Sequence, residues 1–174
     1  MIMKRLLVVV DMQKDFVDGA LGTSQAREIV EPLVELVKAE QEKGTEIVFT
    51  MDTHSEEYLH TQEGKKLPVP HCVKGSEGWE LIPELKPLAK GCKVFEKPAF
   101  GSTQLADFVK EHHYDEIVLA GLCTDICVIS NAILLKSAVP ESEVSIISSC
   151  CAGITPESHE NALEAMRMCQ IVIS

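Results

Sequence analysis

The apolar run at residues 6–10, LLVVV, places the strongest constraint on how this chain folds. It is far too short to span a membrane, and charged residues stand on both sides of it, Arg5 before and Asp11 after. A run that is apolar on both faces is typical of a strand inside a parallel sheet that helices cover on both sides. We therefore predict a strand over residues 4–10 at the centre of such a sheet.

Helical and strand patterns alternate along the rest of the chain. Apolar residues recur at helical spacing over residues 26–42, and Gly44 follows as a stop signal. Further strands are predicted over residues 46–50, 93–95, 116–120, 143–148 and 171–173, and further helices over residues 103–112, 124–136 and 156–168. This alternation predicts an α/β fold, a three-layer, doubly wound, Rossmann-like sandwich with a mainly parallel six-stranded sheet. Because no repeat or linker interrupts it, we expect a single domain over residues 1–174.

Composition restricts the partners of the chain. Sixteen basic and 27 acidic residues give a formal net charge of −11, and the basic residues form no cluster. Such a surface repels phosphate backbones and anionic lipids, so we expect no nucleic-acid partner and no membrane partner. The sequence contains no signal-peptide pattern and no C-x-x-C pair among its seven cysteines. These features indicate a cytoplasmic protein without a disulfide framework.

Chemically active residues follow four of the predicted strands. Asp11 follows the first strand, Asp52 and His54 follow the second, Lys97 follows the third, and Cys127 lies a few residues after the fourth. Ligands of doubly wound sheets bind beyond the carboxyl ends of the strands, where these residues are expected to meet. The convergence predicts an active site at this edge of the sheet.

Cys127 is the candidate nucleophile. It lies in the first turn of a predicted helix, where the positive end of the helix is expected to lower the thiol pKa and the amides to hold an oxyanion. Asp11 can accept the thiol proton, and Lys97 can stabilise the thiolate. Taken singly, each residue has a plainer interpretation: a packed cysteine, a strand-end cap and a surface lysine.

A metal site is predicted in the long polar stretch over residues 52–78, which we interpret as a loop region. Asp52-x-His54 and the distant His71 supply one carboxylate and two imidazoles, a set that leaves positions open for water and substrate. His60 and Glu63 are candidates for a fourth ligand. Zinc is the expected divalent ion, with iron and manganese as alternatives, and polar loop residues without a metal are the plainer interpretation.

Several of these segments resemble the motifs of one family. The stretch over residues 11–16 (DMQKDF), Lys97 and the segment over residues 121–128 (GLCTDICV) resemble the cysteine hydrolase, or isochorismatase-like, superfamily, which contains nicotinamidase and isochorismatase. The resemblance implies a catalytic triad of Asp11, Lys97 and Cys127. It also implies a cis peptide bond between Leu122 and Cys123, an oxyanion hole formed by the amides of Cys123 and Cys127, and an apolar wall at Phe16.

Within the superfamily, the metal motif is most similar to the nicotinamidase branch. Asp52-x-His54 and the segment over residues 70–75 (PHCVKG) resemble the metal site of nicotinamidases. This similarity implies hydrolysis of a small carboxamide through a thioester, with nicotinamide as the substrate and nicotinate and ammonia as products, in a homo-oligomeric enzyme.

Three departures from the nicotinamidase pattern leave the substrate open. Residues 67–70 (LPVP) lack the aromatic residue that usually precedes the metal histidine, and Trp79 comes only after His71. The segment over residues 98–103 is about three residues shorter than is common in the family, and Cys123 stands where alanine is frequent. The alternative within the superfamily is isochorismatase-like vinyl-ether hydrolysis or hydrolysis of another small amide.

Outside the superfamily, the residues leave one non-enzymatic alternative and exclude two other functions. An acidic α/β domain whose cysteines sense oxidants or bind zinc is the non-enzymatic alternative, because Cys123 and Cys127 are one helical turn apart. An aspartyl phosphotransferase is excluded because Gln13 stands where its second aspartate is required. A nucleotide-binding function is excluded because no strand is followed by a G-x-G-x-x-G or Walker-type glycine pattern.

Overall fold

The computed structural model describes residues 3–174, so residues 1 and 2 of the expected domain lie outside it. The strands are β1 (Arg5–Val10), β2 (Glu46–Asp52), β3 (Lys93–Lys97), β4 (Glu116–Leu122), β5 (Glu143–Ala152) and β6 (Val172–Ile173). The α-helices are α1 (Lys14–Val17), α2 (Ser24–Glu28), α3 (Val30–Glu42), α4 (Gln62–Lys66), α5 (Thr103–His112), α6 (Ile129–Ala138) and α7 (Pro156–Met168). A 3₁₀ turn covers Tyr58–His60, and a π-helical turn covers Thr124–Val128.

The six strands form one sheet in the order β3-β2-β1-β4-β5-β6, and every pairing is parallel. The predicted α/β class is confirmed, with an entirely parallel sheet. Chain order reverses between β1 and β4, so the segments that follow these two strands diverge and leave a crevice between them. The loops after β1 and β4 are therefore the ones that line a binding site.

Strand β1 is the centre of the core. Its residues 6–10 are fully buried, because β2 and β4 flank it and helices cover both faces of the sheet. Val8 pairs with Val48 on one side and with Leu119 on the other. Burying a Leu or Val side chain stabilises the fold by roughly 1.5–3 kcal/mol, so β1 holds the carboxyl edge of the sheet in place.

Within residues 3–174, no helix is long and apolar enough to cross a bilayer.

Two predicted helices differ from the observed ones. The helix expected over residues 26–42 is divided into α2 and α3 at Ile29, because Pro32 cannot donate to the carbonyl of Glu28 and its ring crowds that group. The helix expected over residues 124–136 begins with the π-helical turn and continues as α6 to Ala138. The predicted loop over residues 52–78 contains the 3₁₀ turn and the short helix α4.

Candidate active site

The carboxyl edge of the sheet brings the expected residues together. Asp11 directly follows β1, Asp52 ends β2, Lys97 ends β3, and Cys127 lies in the π-helical turn after β4. All four side chains are buried. Buried charged groups need partners of opposite charge or hydrogen bonds. In this group the side chains serve as partners for one another.

Lys97 lies at the centre of the group. Its Nζ is 2.6 Å from Asp11 Oδ2 and 3.4 Å from Cys127 Sγ, and it donates to the carbonyl of Ala99 at 3.1 Å. The hydroxyl of Thr50 donates to the other oxygen of Asp11, at 2.6 Å. A hydrogen bond to one oxygen of Asp11 and an ion pair with the other thus hold its carboxylate beside the lysine.

The backbone around these residues has unusual local geometry. Asp11 has a φ of 48°, a left-handed conformation that aspartate tolerates better than most residues. Gly121 approaches the end of β1 so closely that a Cβ there would lie 2.2 Å from the carbonyl oxygen of Val10. Its φ is +129°, which also favours glycine. The expected cis peptide bond between Leu122 and Cys123 is present.

Electrostatics in the group contradict one expectation. Burial raises the pKa of the Cys127 thiol well above its ordinary value, and the charge of Asp11 raises it further, while Lys97 lowers it. The pKa is therefore raised, whereas the sequence analysis expected a lowered one. Burial also raises the pKa of Asp11, against the opposing charge of Lys97.

Lys97 remains a cation in this environment. Burial lowers the pKa of its ammonium group, but the negative charges of Asp11, Cys127 and Asp52 raise it more, so the net shift is upward. A permanent positive charge beside the thiol favours the thiolate whenever Asp11 takes the proton.

The π-helical turn that carries Cys127 is held by a residue that the sequence analysis missed. The side-chain amide of Asn131 donates to the carbonyls of Cys127 (2.8 Å) and Phe100 (3.1 Å), and its oxygen accepts from the Ser102 amide at 2.9 Å. It thus ties the loop after Lys97 to the cysteine turn. Asn131 is fully buried, but α6 also contains two serines and a lysine, so no sequence signal distinguishes it.

A second cluster adjoins the thiol group. One ligand atom from each of Asp52, His54, Glu63 and His71 lies within 4.8 Å of the others. Asp52 Oδ2 is 2.8 Å from His54 Nε2 and 3.3 Å from His71 Nε2, and Glu63 Oε1 is 3.6 Å and 3.5 Å from the same two nitrogens. His60 is exposed and pairs with Glu57, so Glu63 is the fourth member of this set.

The chemistry of this set fits a divalent metal ion. His71 Nδ1 lies 2.8 Å from the carbonyl of Val69, which can only accept, so Nδ1 carries the proton and Nε2 is free to bind a metal. Among the described residues, no donor forms a hydrogen bond with the buried Asp52 Oδ1. Two imidazoles and two carboxylates are ligands that zinc, iron and manganese accept. The donor set therefore supports a divalent cation.

The loop segments that carry the two histidines pair with each other. The amide of His54 donates to the carbonyl of Cys72 at 2.9 Å, and the amide of Lys74 donates to the carbonyl of His54 at 2.9 Å. Asp15 accepts the Cys72 amide at 2.8 Å, next to His71. These bonds fix ligands that lie 17 residues apart in sequence, which helical or strand periodicity could not have revealed.

A cavity of about 300 Å³ connects the thiol and the metal cluster. Its polar or reactive lining residues are Asp52, Glu63, His71, Cys123 and Cys127, and its apolar lining residues are Phe16, Leu21, Leu67, Phe100, Ile126 and Ile154. Phe16 was expected here, whereas Leu21, Phe100, Ile126 and Ile154 were not anticipated. Leu67 lies in the wall, and Trp79 instead donates through Nε1 to Thr53 Oγ1 at 3.0 Å. The cavity thus places an apolar wall around a thiol and a cation site.

Comparisons with known proteins agree with this geometry. The isochorismatase domain family matches residues 5–174. A nicotinamidase of Escherichia coli (strain K12) is 27% identical over an alignment of 194 positions, which covers 94% of this chain and 90% of that protein. The crystal structure of nicotinamidase/pyrazinamidase PncA from Bacillus subtilis superimposes with a TM-score of 0.89 at 31% identity, over 99% of this chain and 100% of that one.

A second similar structure contains a metal. The pyrazinamidase of Pyrococcus horikoshii in complex with zinc has a TM-score of 0.84 and 28% identity, over 98% of each chain. The chain therefore belongs to the isochorismatase family and is an amide-bond hydrolase.

Proposed function

We propose that this enzyme hydrolyses nicotinamide to nicotinate and ammonia through a thioester on Cys127. The observation that carries the proposal is the position of Lys97 Nζ, 2.6 Å from Asp11 and 3.4 Å from Cys127, in a cavity that also contains a set of metal-binding residues. Similar proteins named nicotinamidase and pyrazinamidase support the same substrate.

In the first half of the proposed reaction, Asp11 takes the proton of Cys127 and Lys97 stabilises the thiolate. The thiolate attacks the carboxamide carbon, and the amides of Cys123 and Cys127 hold the oxyanion. Asp11 then gives the proton to the leaving nitrogen, so ammonia departs and a thioester remains.

In the second half, water replaces ammonia. Asp11 takes a proton from this water as it attacks the thioester carbon, and the same amides hold the second oxyanion. The carbon–sulfur bond breaks, the proton on Asp11 returns to Cys127, and nicotinic acid leaves and gives its remaining proton to solvent to become nicotinate. The triad is then in its starting state.

We propose that Asp52, His54, Glu63 and His71 hold a divalent ion, with zinc as its identity. When bound, such an ion supplies a Lewis acid that can orient a substrate through a ring nitrogen. The apolar residues around the cavity, Phe16 and Leu67 among them, surround the rest of the ring and exclude water from the thiol.

A second candidate is hydrolysis of a different small carboxamide. The observation in its favour is Leu67, an aliphatic residue at the wall position where an aromatic side chain is expected to stack on a pyridine ring. Substrates without a ring nitrogen would still reach Cys127. A panel of pyridine, benzene and aliphatic carboxamides separates the two, because a nicotinamidase should prefer the pyridine compounds.

The primary experiment measures ammonia release from nicotinamide by the wild-type protein, by Cys127→Ala and by a chelator-treated sample. Turnover in the wild type that is lost in both other samples would support the proposal. Turnover of another carboxamide but not of nicotinamide would favour the second candidate. Turnover that Cys127→Ala retains would contradict the thioester.

We also propose that residues 1–174 form one domain that functions in the cytoplasm as a homo-oligomer. Light scattering on the purified protein measures its mass. A mass that is a multiple of one chain supports self-association, and a mass equal to one chain at all concentrations contradicts it.

A further inference from the structure

The side chain of Gln13 is fully buried against the main chain of Asp52. Gln13 Oε1 accepts the Asp52 amide at 2.7 Å, and Gln13 Nε2 donates to the Asp52 carbonyl at 2.8 Å. The same Nε2 donates to the carbonyl of Trp79, also at 2.8 Å. One side chain thus satisfies three main-chain groups in the interior.

These bonds continue the ladder between β1 and β2 beyond the end of β1. The last main-chain bond across this pair runs from the Asp11 amide to the carbonyl of Thr50, at 3.1 Å. After Asp11 the chain turns away with a positive φ, so no strand residue reaches Asp52 from that side. The side-chain amide of Gln13 occupies the position of the missing strand residue and binds both main-chain groups of Asp52.

A primary amide can make all three contacts, because it has one acceptor oxygen and two N–H donors. It accepts from an N–H group through its oxygen and donates to a carbonyl through its nitrogen. A carboxylate would lack the donor, and an apolar side chain of similar length would lack both groups. The residue type at position 13 therefore matches the task of holding the main chain of Asp52.

Asp52 is a residue whose orientation matters. Its Oδ2 faces His54 and His71, at 2.8 Å and 3.3 Å, and its Oδ1 lies 3.6 Å from Lys97 Nζ. A small rotation of the Asp52 main chain would move its carboxylate away from both histidines at once.

We infer that Gln13 is a positioning residue that sets the metal affinity of the site by fixing the main chain of Asp52. This inference rests on the proposed metal site, but it does not depend on which amide the enzyme hydrolyses. Replacement of a residue that forms hydrogen bonds with a metal ligand commonly lowers metal affinity by 10- to 100-fold.

The test compares zinc binding by chelator-stripped wild type, Gln13→Met and Gln41→Met, measured by titration calorimetry. Gln41 is the matched control, because its Nε2 also donates to a main-chain carbonyl, that of Leu88 at 2.9 Å. This contact is exposed and lies near the end of α3, which precedes the amino end of β2, whereas the site is at the carboxyl end. The visible absorption spectrum of the cobalt-loaded proteins reports ligand geometry independently of turnover. Gln13→Asn, which keeps the amide but is one methylene shorter, serves if the Met variant does not fold.

We expect zinc to bind Gln13→Met or Gln13→Asn about 10-fold or more weakly than the wild type, with an altered cobalt spectrum. Gln41→Met should match the wild type in both. Loss of thermal stability with unchanged zinc affinity and cobalt spectrum would overturn the inference, since it would show a structural role alone. Wild-type protein that binds no zinc would overturn it together with the metal site, whereas zinc binding without nicotinamide turnover refutes only the proposed substrate.

Discussion

Asp52 and Lys97 join the two halves of the site. Asp52 Oδ1 lies 3.6 Å from Lys97 Nζ, while Oδ2 of the same carboxylate faces the nitrogen of His54 at 2.8 Å. The register explains the contact, because Asp52 and Lys97 are paired at the ends of adjacent parallel strands. One carboxylate thus belongs to the cluster of candidate metal ligands and also lies beside Lys97.

Replacement of Cys127 by alanine is expected to lower nicotinamide turnover by roughly 10⁴-fold or more, because the covalent route is lost. The measurement is ammonia release under saturating substrate. Cys169→Ala is the matched control, since Cys169 is exposed and outside the cavity. Equal loss in both variants would point to a general effect of cysteine removal and against a nucleophile at position 127.

Lys97→Met is expected to raise the pKa of Cys127. Burial and Asp11 already raise this pKa, and Lys97 is the neighbour that lowers it. Turnover should fall by roughly 10²–10⁴-fold, because the thiolate is less often available. The check is the rate of alkylation of Cys127 as a function of pH, with the exposed Lys86→Met as control. Superimposable curves for wild type and Lys97→Met would refute the assigned role.

Glu63 and His60 give a matched pair for the metal site. Glu63→Ala should weaken zinc binding, because Glu63 Oε1 lies 3.5 Å from His71 Nε2 and 3.6 Å from His54 Nε2. Replacement of the exposed His60 should leave zinc affinity unchanged. Free zinc at 100 times its Kd should stabilise the wild type by about 2.7 kcal/mol. For a chain of this length that raises Tm by about 5–10 °C. Equal zinc affinity in both variants would remove Glu63 from the set.

Glu40 should make folding stability depend on pH. Burial raises its pKa, but hydrogen bonds from Thr45 (2.6 Å) and Lys43 (2.9 Å) and the charge of Arg5 lower it more, so the folded-state pKa is below the ordinary value of 4.5. The stabilisation is therefore present above about pH 4.5 and is lost as the pH falls through the folded-state pKa.

The corresponding variant is Glu40→Gln, which should cost about 1–3 kcal/mol at pH 7 and progressively less below pH 4.5. Urea unfolding at several pH values measures this difference. Glu35→Gln, whose exposed pair with Lys38 contributes little, is the control. A cost for Glu40→Gln that stays constant down to pH 3 would contradict the assignment.

The sequence was sufficient to predict the residues at the strand ends. A parallel sheet places the carboxyl ends of its strands at one edge, so Asp11, Asp52, Lys97 and Cys127 had to lie near each other once the strands were recognised. The positions of the strand ends did not predict most of the apolar residues that line the cavity. Leu21, Phe100, Ile126 and Ile154 come from segments without strong periodicity, and only their packing in three dimensions brings them together.

The direction of the thiol pKa was not predictable from the sequence. It was judged from the helix terminus, but it depends on how deeply Cys127 and Asp11 are buried, and a sequence does not give the burial of a turn.

The fourth metal ligand was left open between His60 and Glu63. Helix α4, which contains Glu63, has only five residues, and a helix so short has no readable amphipathic pattern. In the structure Glu63 faces the two histidines, whereas His60 lies in the 3₁₀ turn and is exposed.

The proposed transfer of the thiol proton from Cys127 to Asp11 has an electrostatic consequence for catalysis. Before and after this transfer the two groups together carry one negative charge, and the ammonium of Lys97 lies beside both of them. Activation of the nucleophile therefore transfers charge over a short distance but creates none, and no ion has to be exchanged with solvent. A buried site can in this way hold a reactive thiolate without a change in its total charge.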